Sequence, residues 1–225
     1  MGNGIVIFDL DDVLVDFSSL LYRNIRENWR IYNRWFEDKG DLTQEELQER
    51  NVYRLNEWLI KNKFRTLTSG QYTSLMKLIE GTMAKTFYSQ DPYAHAIPNK
   101  FAIKTLLNGN YINNPSIKKV YILSRNATPG QAASKMNFIE KYFKHPKIEY
   151  IGLGMGSKGE YLASRNIDFD LFIDDEIPNI RAIIETSKDL NRKEFLIPEY
   201  GYNKLPPELD ILIRERGATV SYFKI

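Results

Sequence analysis

The sequence contains no cysteine and only two histidines, His95 and His145. The first absence excludes disulfides, thiolate metal sites and cysteine nucleophiles together. Combined with the second, it argues against a zinc centre, which is built mainly from those two residue types. Long apolar runs are missing too: nothing approaches the roughly 20 residues that a membrane span requires. Met1-Gly2-Asn3-Gly4 leads straight into Ile5-Val6-Ile7-Phe8 and then acids. That start lacks the basic residues and longer apolar stretch of a secretory signal. The expectation is a soluble, cytoplasmic protein with no membrane partner. There is also little excess charge. Lys and Arg total 31 against 29 Asp and Glu, a formal net charge of +2. This is too small to draw a polyanion by bulk attraction. Any preference for phosphate must be built locally.

What is present is core-forming material. Of 225 residues, 43% are hydrophobic and 13% aromatic, enough for one α/β core with an inserted element. Six short apolar runs read as buried parallel strands: Ile5–Asp9, Val120–Ser124, Ile148–Gly152, Leu171–Asp174, Phe195–Pro198 and Thr219–Phe223. Turns and helical patterns follow them, which predicts a Rossmann-like three-layer α/β sandwich around a central parallel sheet. In such sheets ligands gather at the carboxyl ends of the strands. Between about Phe17 and His95 the alternation stops and helices follow one another. Leu21, Ile25, Trp29, Tyr32 and Phe36 mark one apolar face. Thr43 opens a capping box with Glu46, and Ser69-Gly70 opens a further helix. The expected organisation is a core of residues 1–16 and 96–225 with a helical insertion of 17–95. Pro98 is expected to start the helix that returns through Leu106 and Leu107.

The strand ends carry the chemistry. The first gives Asp9-Leu10-Asp11-Asp12, with two carboxylates two residues apart at the exit of a buried strand. These are costly to place unless a metal or partner neutralises them. One such carboxylate can attack phosphorus while binding a cation, and the second can manage protons. The second strand ends at Ser124, whose hydroxyl can donate to a phosphoryl oxygen, as can the backbone amides of Arg125 and Asn126. Thr128-Pro129 then starts a helix. Ser157 and Glu160 form a capping box that places Lys158 in the first helical turn, where it opposes the helix dipole. That position makes sense if Lys158 reaches a phosphate or the first carboxylate. The fourth strand ends in Asp174-Asp175-Glu176, with Asn179 beyond. Lys158 alone cannot balance so many carboxylates, and their hard oxygens favour Mg²⁺.

Acid pair, hydroxyl, lysine and second acid pair, in that order, resemble the four signature motifs of the haloacid dehalogenase superfamily over Ile5 to Asn179. The resemblance implies that Asp9 is the nucleophile and forms an aspartyl-phosphate. It implies that Asp11 protonates the leaving oxygen and then activates water, while Ser124 and Lys158 hold the transferring oxygens. Mg²⁺ would be bound by Asp9, the backbone carbonyl of Asp11 and either Asp174 or Asp175. Asp11 points to the phosphatases and phosphomutases of the superfamily rather than its dehalogenases. The insertion resembles a type 1 cap.

Val13-Leu14-Val15-Asp16-Phe17 and the Asp-Leu-Phe-Ile-Asp-Asp ending are similar to the 5'(3')-deoxyribonucleotidase-like branch. That similarity implies a small phosphorylated substrate such as a nucleoside monophosphate. Phe17 and Tyr22 are candidates to stack on its base, although such aromatics more often belong to the core. Arg23, Arg26, Arg30 and Arg34 form a stripe that would suit a nucleic-acid backbone, although a solvated helix face is the commoner reason for such a stripe. A nucleic-acid end phosphatase, a sugar phosphomutase and a non-catalytic binding protein are the alternative readings.

Overall fold

The computed structural model describes residues 2–17, 68–87, 91–109, 111–200 and 203–224. Its centre is a six-stranded, all-parallel sheet. The strands are β1 (Ile5–Phe8), β2 (Lys119–Arg125), β3 (Ile148–Leu153), β4 (Leu171–Ile173), β5 (Glu194–Pro198) and β6 (Thr219–Phe223). All six coincide with the apolar runs picked out from the sequence. The spatial order is β3-β2-β1-β4-β5-β6, so the chain winds one way from β1 and then the other. The gap between β1 and β4 is therefore the switch point at which parallel α/β sheets hold ligands.

Alternation along each strand feeds two separate cores. Val6 and Phe8 of β1, Val120 and Ile122 of β2, and Leu171 and Ile173 of β4 pack on one face with Phe138, Ile139 and Phe143. Ile7, Leu123, Phe172 and Phe195 pack on the other with Ile180, Ile183, Ile184 and Leu209. Because both faces are covered, the strands read as unbroken apolar runs rather than half-polar ones.

The helices begin where local chemistry starts them. Helix α1 (Ser69–Phe87) is capped by Thr68, whose Oγ1 accepts from the Gln71 amide while Gln71 Oε1 accepts from the Thr68 amide. The return helix α2 (Lys100–Ala102) runs into a π-helical turn, Ile103–Leu107. It starts later than Pro98. The Asn99 side chain accepts from the Ala102 amide and is the cap, and Pro98 instead forms an antiparallel bridge with Val15. Leu106 is buried, whereas Leu107 is exposed. Helix α3 (Pro129–Tyr142) has Thr128 as its cap and proline in its first turn. The Ser157 hydroxyl caps α4 (Lys158–Ser164) by accepting from the Glu160 amide. Helices α5 (Ile177–Thr186) and α6 (Pro207–Glu215) complete the described set. None of these helices is long and apolar enough to cross a membrane. Of the predicted insertion, the first helix, the Thr43–Glu46 capping box, Tyr22 and the arginine stripe lie outside the described residues.

Gly159 shows how tightly α4 is seated. A Cβ there would lie 2.4 Å from the Ala182 carbonyl oxygen of α5 and 2.7 Å from Thr186 Oγ1. In an isolated helix Gly→Ala gains about 1 kcal/mol. Here, backbone blocks the added methyl, and the overpacking cost of about 1–3 kcal/mol should outweigh that gain. Gly159→Ala is therefore expected to lower the urea midpoint, and a raised midpoint would contradict this packing.

Candidate active site

The ends of β1 and β4 are laced together before the first acid appears. The Asp9 amide donates to Ile173 O at 2.8 Å, which continues the sheet by one residue. The chain then coils tightly, with the amides of Leu14 and Val15 both donating to Leu10 O at 2.9 Å. Asp12 takes a left-handed conformation (φ 53) that a short polar side chain tolerates. This coil brings Asp9, Asp11 and Asp12 to the wall of one cleft, which Ser124, Arg125, Phe17, Lys158 and Asp175 also line.

Lys158 lies at the base of the cleft. Its side chain is 2% exposed, and its Nζ lies 2.7 Å from Asp9 Oδ1 and 2.7 Å from Asp174 Oδ2. Burial alone would lower its pKa, but the two carboxylates outweigh burial and raise it, so it stays charged. The charge opposing the dipole of α4 is therefore answered from the strand ends.

The two acids that follow β4 have different surroundings. Asp174 is fully buried and its oxygens are taken up by protein donors. Oδ1 accepts from the Glu176 amide at 2.8 Å and Asn179 Nδ2 at 3.0 Å, and Oδ2 accepts from Lys158. Asp175 instead faces the cleft. Its backbone carbonyl accepts from Asn203 Nδ2 at 3.1 Å, and Tyr200 Oη donates to the Asp12 carbonyl at 2.7 Å. The loop after β5 thus braces both acidic turns.

Negative charge is in surplus here. Burial, followed by Asp174 and Asp11, pushes Asp9 up from 3.8 to about 6 despite Lys158. Burial, then Asp174, Asp9 and Asp12, raises Asp175 well above the usual carboxylate range. Oxygens of Asp9, Asp174 and Asp175 all lie within 4.8 Å of one another. Among the described residues this trio is the group able to hold a metal ion. A hard, oxygen-preferring cation fits that donor set and would relieve the surplus.

Ser124 is 1% exposed and reaches the cleft from β2. Arg125 spans the mouth, donating from Nη2 to Asn179 Oδ1 and pairing with Glu176 Oε2 at 3.5 Å. Its Nε is buried without a partner among the described residues. Phe17 is nearly buried, its ring 5.7 Å from that of Tyr93. Asn126 is placed apart from this group. Its amide donates to Leu153 O at 2.7 Å and its side chain accepts from Tyr150 Oη at 2.9 Å, which ties β2 to β3. That amide is committed within the sheet.

Two residues of the site have no counterpart in the sequence reading. Lys135 of α3 is 1% exposed and donates to Asp11 Oδ2 at 2.6 Å, Ser124 Oγ at 2.7 Å and Arg125 O at 2.7 Å. Tyr93 donates its hydroxyl to Asp11 Oδ1. Burial and then Asp11 raise the Tyr93 pKa well above its usual value, so it remains a donor. A signal for Lys135 was available: it lies three and four residues before Phe138 and Ile139, on the helix face that packs inward.

The sign of the pH dependence follows from the raised carboxylates. The folded protein holds protons on Asp9 and Asp175 more tightly than the unfolded chain. These groups therefore lower stability as pH rises above about 4, the Asp9 contribution running through about 6. In EDTA, Asp175→Asn should stabilise the protein relative to wild type at pH 7 and much less at pH 4. Divalent cation should narrow the difference by stabilising the wild type. Urea unfolding at the two pH values measures this. An equal effect at both would show that the carboxylates are not held in surplus.

No protein-family model matches the sequence, and no curated protein matches it significantly. Solved structures do resemble it. A protein from Lactobacillus delbrueckii subsp. bulgaricus, provisionally named a phosphoglycolate phosphatase, aligns at TM-score 0.53 and 15% identity over 100% of this chain and 95% of its own. A provisionally named phosphatase from Clostridium difficile aligns at TM-score 0.55 and 14% identity, covering 98% and 95%. A hydrolase from Streptococcus pneumoniae TIGR4 aligns at 0.50 and 15%, covering 81% and 88%. At such identities the likeness is one of fold. With the all-parallel sheet and its strand order, it shows that the chain shares a Rossmann-like α/β fold with these proteins.

Proposed function

We propose that the protein is a magnesium-dependent phosphomonoester hydrolase that works through an aspartyl-phosphate on Asp9. The favoured substrates are small phosphorylated metabolites, nucleoside monophosphates first among them. The observation that carries this reading is the convergence of Asp9, Asp11, Ser124 and Lys158 on one cleft, with Lys158 paired to Asp9. Four residues from two different strand ends and a helix start meet there.

Each has a role that follows from its position. Lys158 holds Oδ1 of Asp9 and leaves Oδ2 to attack phosphorus. As the new oxygen–phosphorus bond forms, the bond to the leaving oxygen breaks, and Asp11 supplies that oxygen's proton. Asp11 then takes a proton from the water that displaces Asp9 and releases inorganic phosphate. Ser124 and Lys158 steady the transferring oxygens, the positioning and charge neutralisation on which phosphoryl transfer depends. Asp9, Asp175 and the Asp11 carbonyl would hold Mg²⁺, which neutralises phosphoryl charge when bound. Asp175 is preferred to Asp174 because the oxygens of Asp174 already accept from Lys158, Asn179 and Glu176.

The nucleotide preference rests on the Val13–Phe17 similarity and on Phe17 as an aromatic wall of the cleft. Residues 17–95 would serve as a cap over the cleft, and the compartment would be cytoplasmic.

Phosphate release should be measured on nucleoside monophosphates, sugar phosphates, 2-phosphoglycolate and phosphorylated oligonucleotides, with Mg²⁺ and with EDTA. Release from a metabolite class that EDTA abolishes is the expected result. Asp9→Asn should lower the rate by at least about 10³-fold while the protein stays folded by circular dichroism. Near-normal activity in that variant would remove Asp9 as nucleophile. Isomerisation without release would indicate a mutase, and a preference for oligonucleotides an end phosphatase.

A further inference from the structure

Lys135 is a buried cation that the proposed chemistry does not require. Its ammonium has three hydrogens and no acceptor capacity. All three are accounted for, by Asp11 Oδ2, Ser124 Oγ and the Arg125 carbonyl, at 2.6–2.7 Å. A lysine this deeply buried is costly unless its contacts do something. The contacts are specific. Two of the three are the side chains expected to handle the leaving-group proton and the phosphoryl oxygens.

Tyr93 completes the arrangement at the other carboxylate oxygen. Its hydroxyl donates to Asp11 Oδ1, and its ring lies 5.5 Å from Lys135 Nζ. Tyr93 is itself fixed to α3, because its amide donates to Ser134 Oγ at 2.9 Å. Ser134 is the neighbour of Lys135, so one turn of α3 orients both donors. Asp11 is the more exposed partner, with 29% of its side chain open against 1% for Lys135. It would sample several rotamers without them.

We infer that Lys135, assisted by Tyr93, is a positioning residue that holds the Asp11 carboxylate and the Ser124 hydroxyl in register for proton transfer to the leaving group. An ammonium can only donate, so Ser124 Oγ must accept from it, which leaves the serine proton free to point into the cleft. The same ammonium fixes one oxygen of Asp11 and Tyr93 the other. A single rigid helix thereby couples the group that grips the phosphoryl oxygens to the group that serves the departing one.

This inference rests on the phosphatase reading, and the test separates the two. Turnover is compared on p-nitrophenyl phosphate, whose leaving group departs without a proton, and on the best alkyl phosphate of the panel, whose alkoxide needs one. Lys135→Met should lower kcat/KM, which reports phosphoryl transfer to Asp9 and not the later hydrolysis common to both substrates, by on the order of 10²-fold on the alkyl phosphate and by less than about fivefold on the aryl phosphate. Tyr93→Phe removes only a hydroxyl and should shift the same ratio in the same direction by about threefold or more, which keeps the test open if Lys135→Met does not fold. In an Asp11→Asn background, Lys135→Met should cost little further on the alkyl phosphate. Equal losses on both substrates, or an unchanged ratio in Tyr93→Phe, would overturn the inference while leaving the phosphatase reading intact. A wild-type protein that turns over no alkyl phosphate would overturn both.

Discussion

Asp9 and Asp174 stand at the ends of neighbouring strands and are removed from water together. The ammonium of Lys158, 2.7 Å from each, is what makes that arrangement tolerable. Without it, two buried like charges would face each other across the switch point of the sheet, at a cost of several kcal/mol per ion. Much of the surrounding structure keeps that cation in place. Ser157 starts α4 so that Lys158 is its first residue, and Gly159 lets the same turn press against the Ala182 carbonyl of α5. Asn179 of α5 supplies a further donor to Asp174. The geometry of one ion pair therefore governs the start of one helix and the seating of two.

Lys158 answers Asp9 and Asp174, yet Asp175 and Asp12 stand beside them, and burial raises Asp9 and Asp175 toward protonation. A site arranged for stability alone would not gather four acids around one lysine. The surplus suits this end of the sheet to a cation, and its stability cost is what cation binding would recover. Lys135 performs a parallel service for the more open acid, Asp11. Two helices on different flanks of β1 thus each send one lysine to one carboxylate of the Asp9-Leu10-Asp11 turn.

The strands were legible because each is buried on both faces and so appears as a short uninterrupted apolar run bounded by turn residues. The caps of α3 and α4 were legible because capping is local, needing only a hydroxyl and an amide three residues on. The start of α2 was misplaced at Pro98 for a related reason. Proline suits a first helical turn, but here an Asn99 side chain was free to cap and Pro98 was drawn into the bridge with Val15. Asn126 follows Ser124 and Arg125 in sequence, but its amide is spent on Leu153, a pairing that no local pattern discloses. Lys135 and Met136 invert the usual rule: the lysine is buried and the methionine half exposed.

The sequence by itself determined the strand assignments, the parallel α/β class and the placement of acids, hydroxyl and lysine at strand ends, because burial period and turn chemistry act over a few residues. Which of those groups meet, and how, was decided only by tertiary structure. Strand order brings the turns after β1, β2 and β4 to one cleft. Packing of α4 on α5 sets the reach of Lys158, and rotation of α3 against the sheet turns Lys135 inward. The saturation of Asp174 by Lys158, Asn179 and Glu176, which leaves Asp175 to face the cleft, belongs to the same level. These are contacts between residues distant in the chain, and their energy depends on distances and desolvation that exist only once the sheet has assembled.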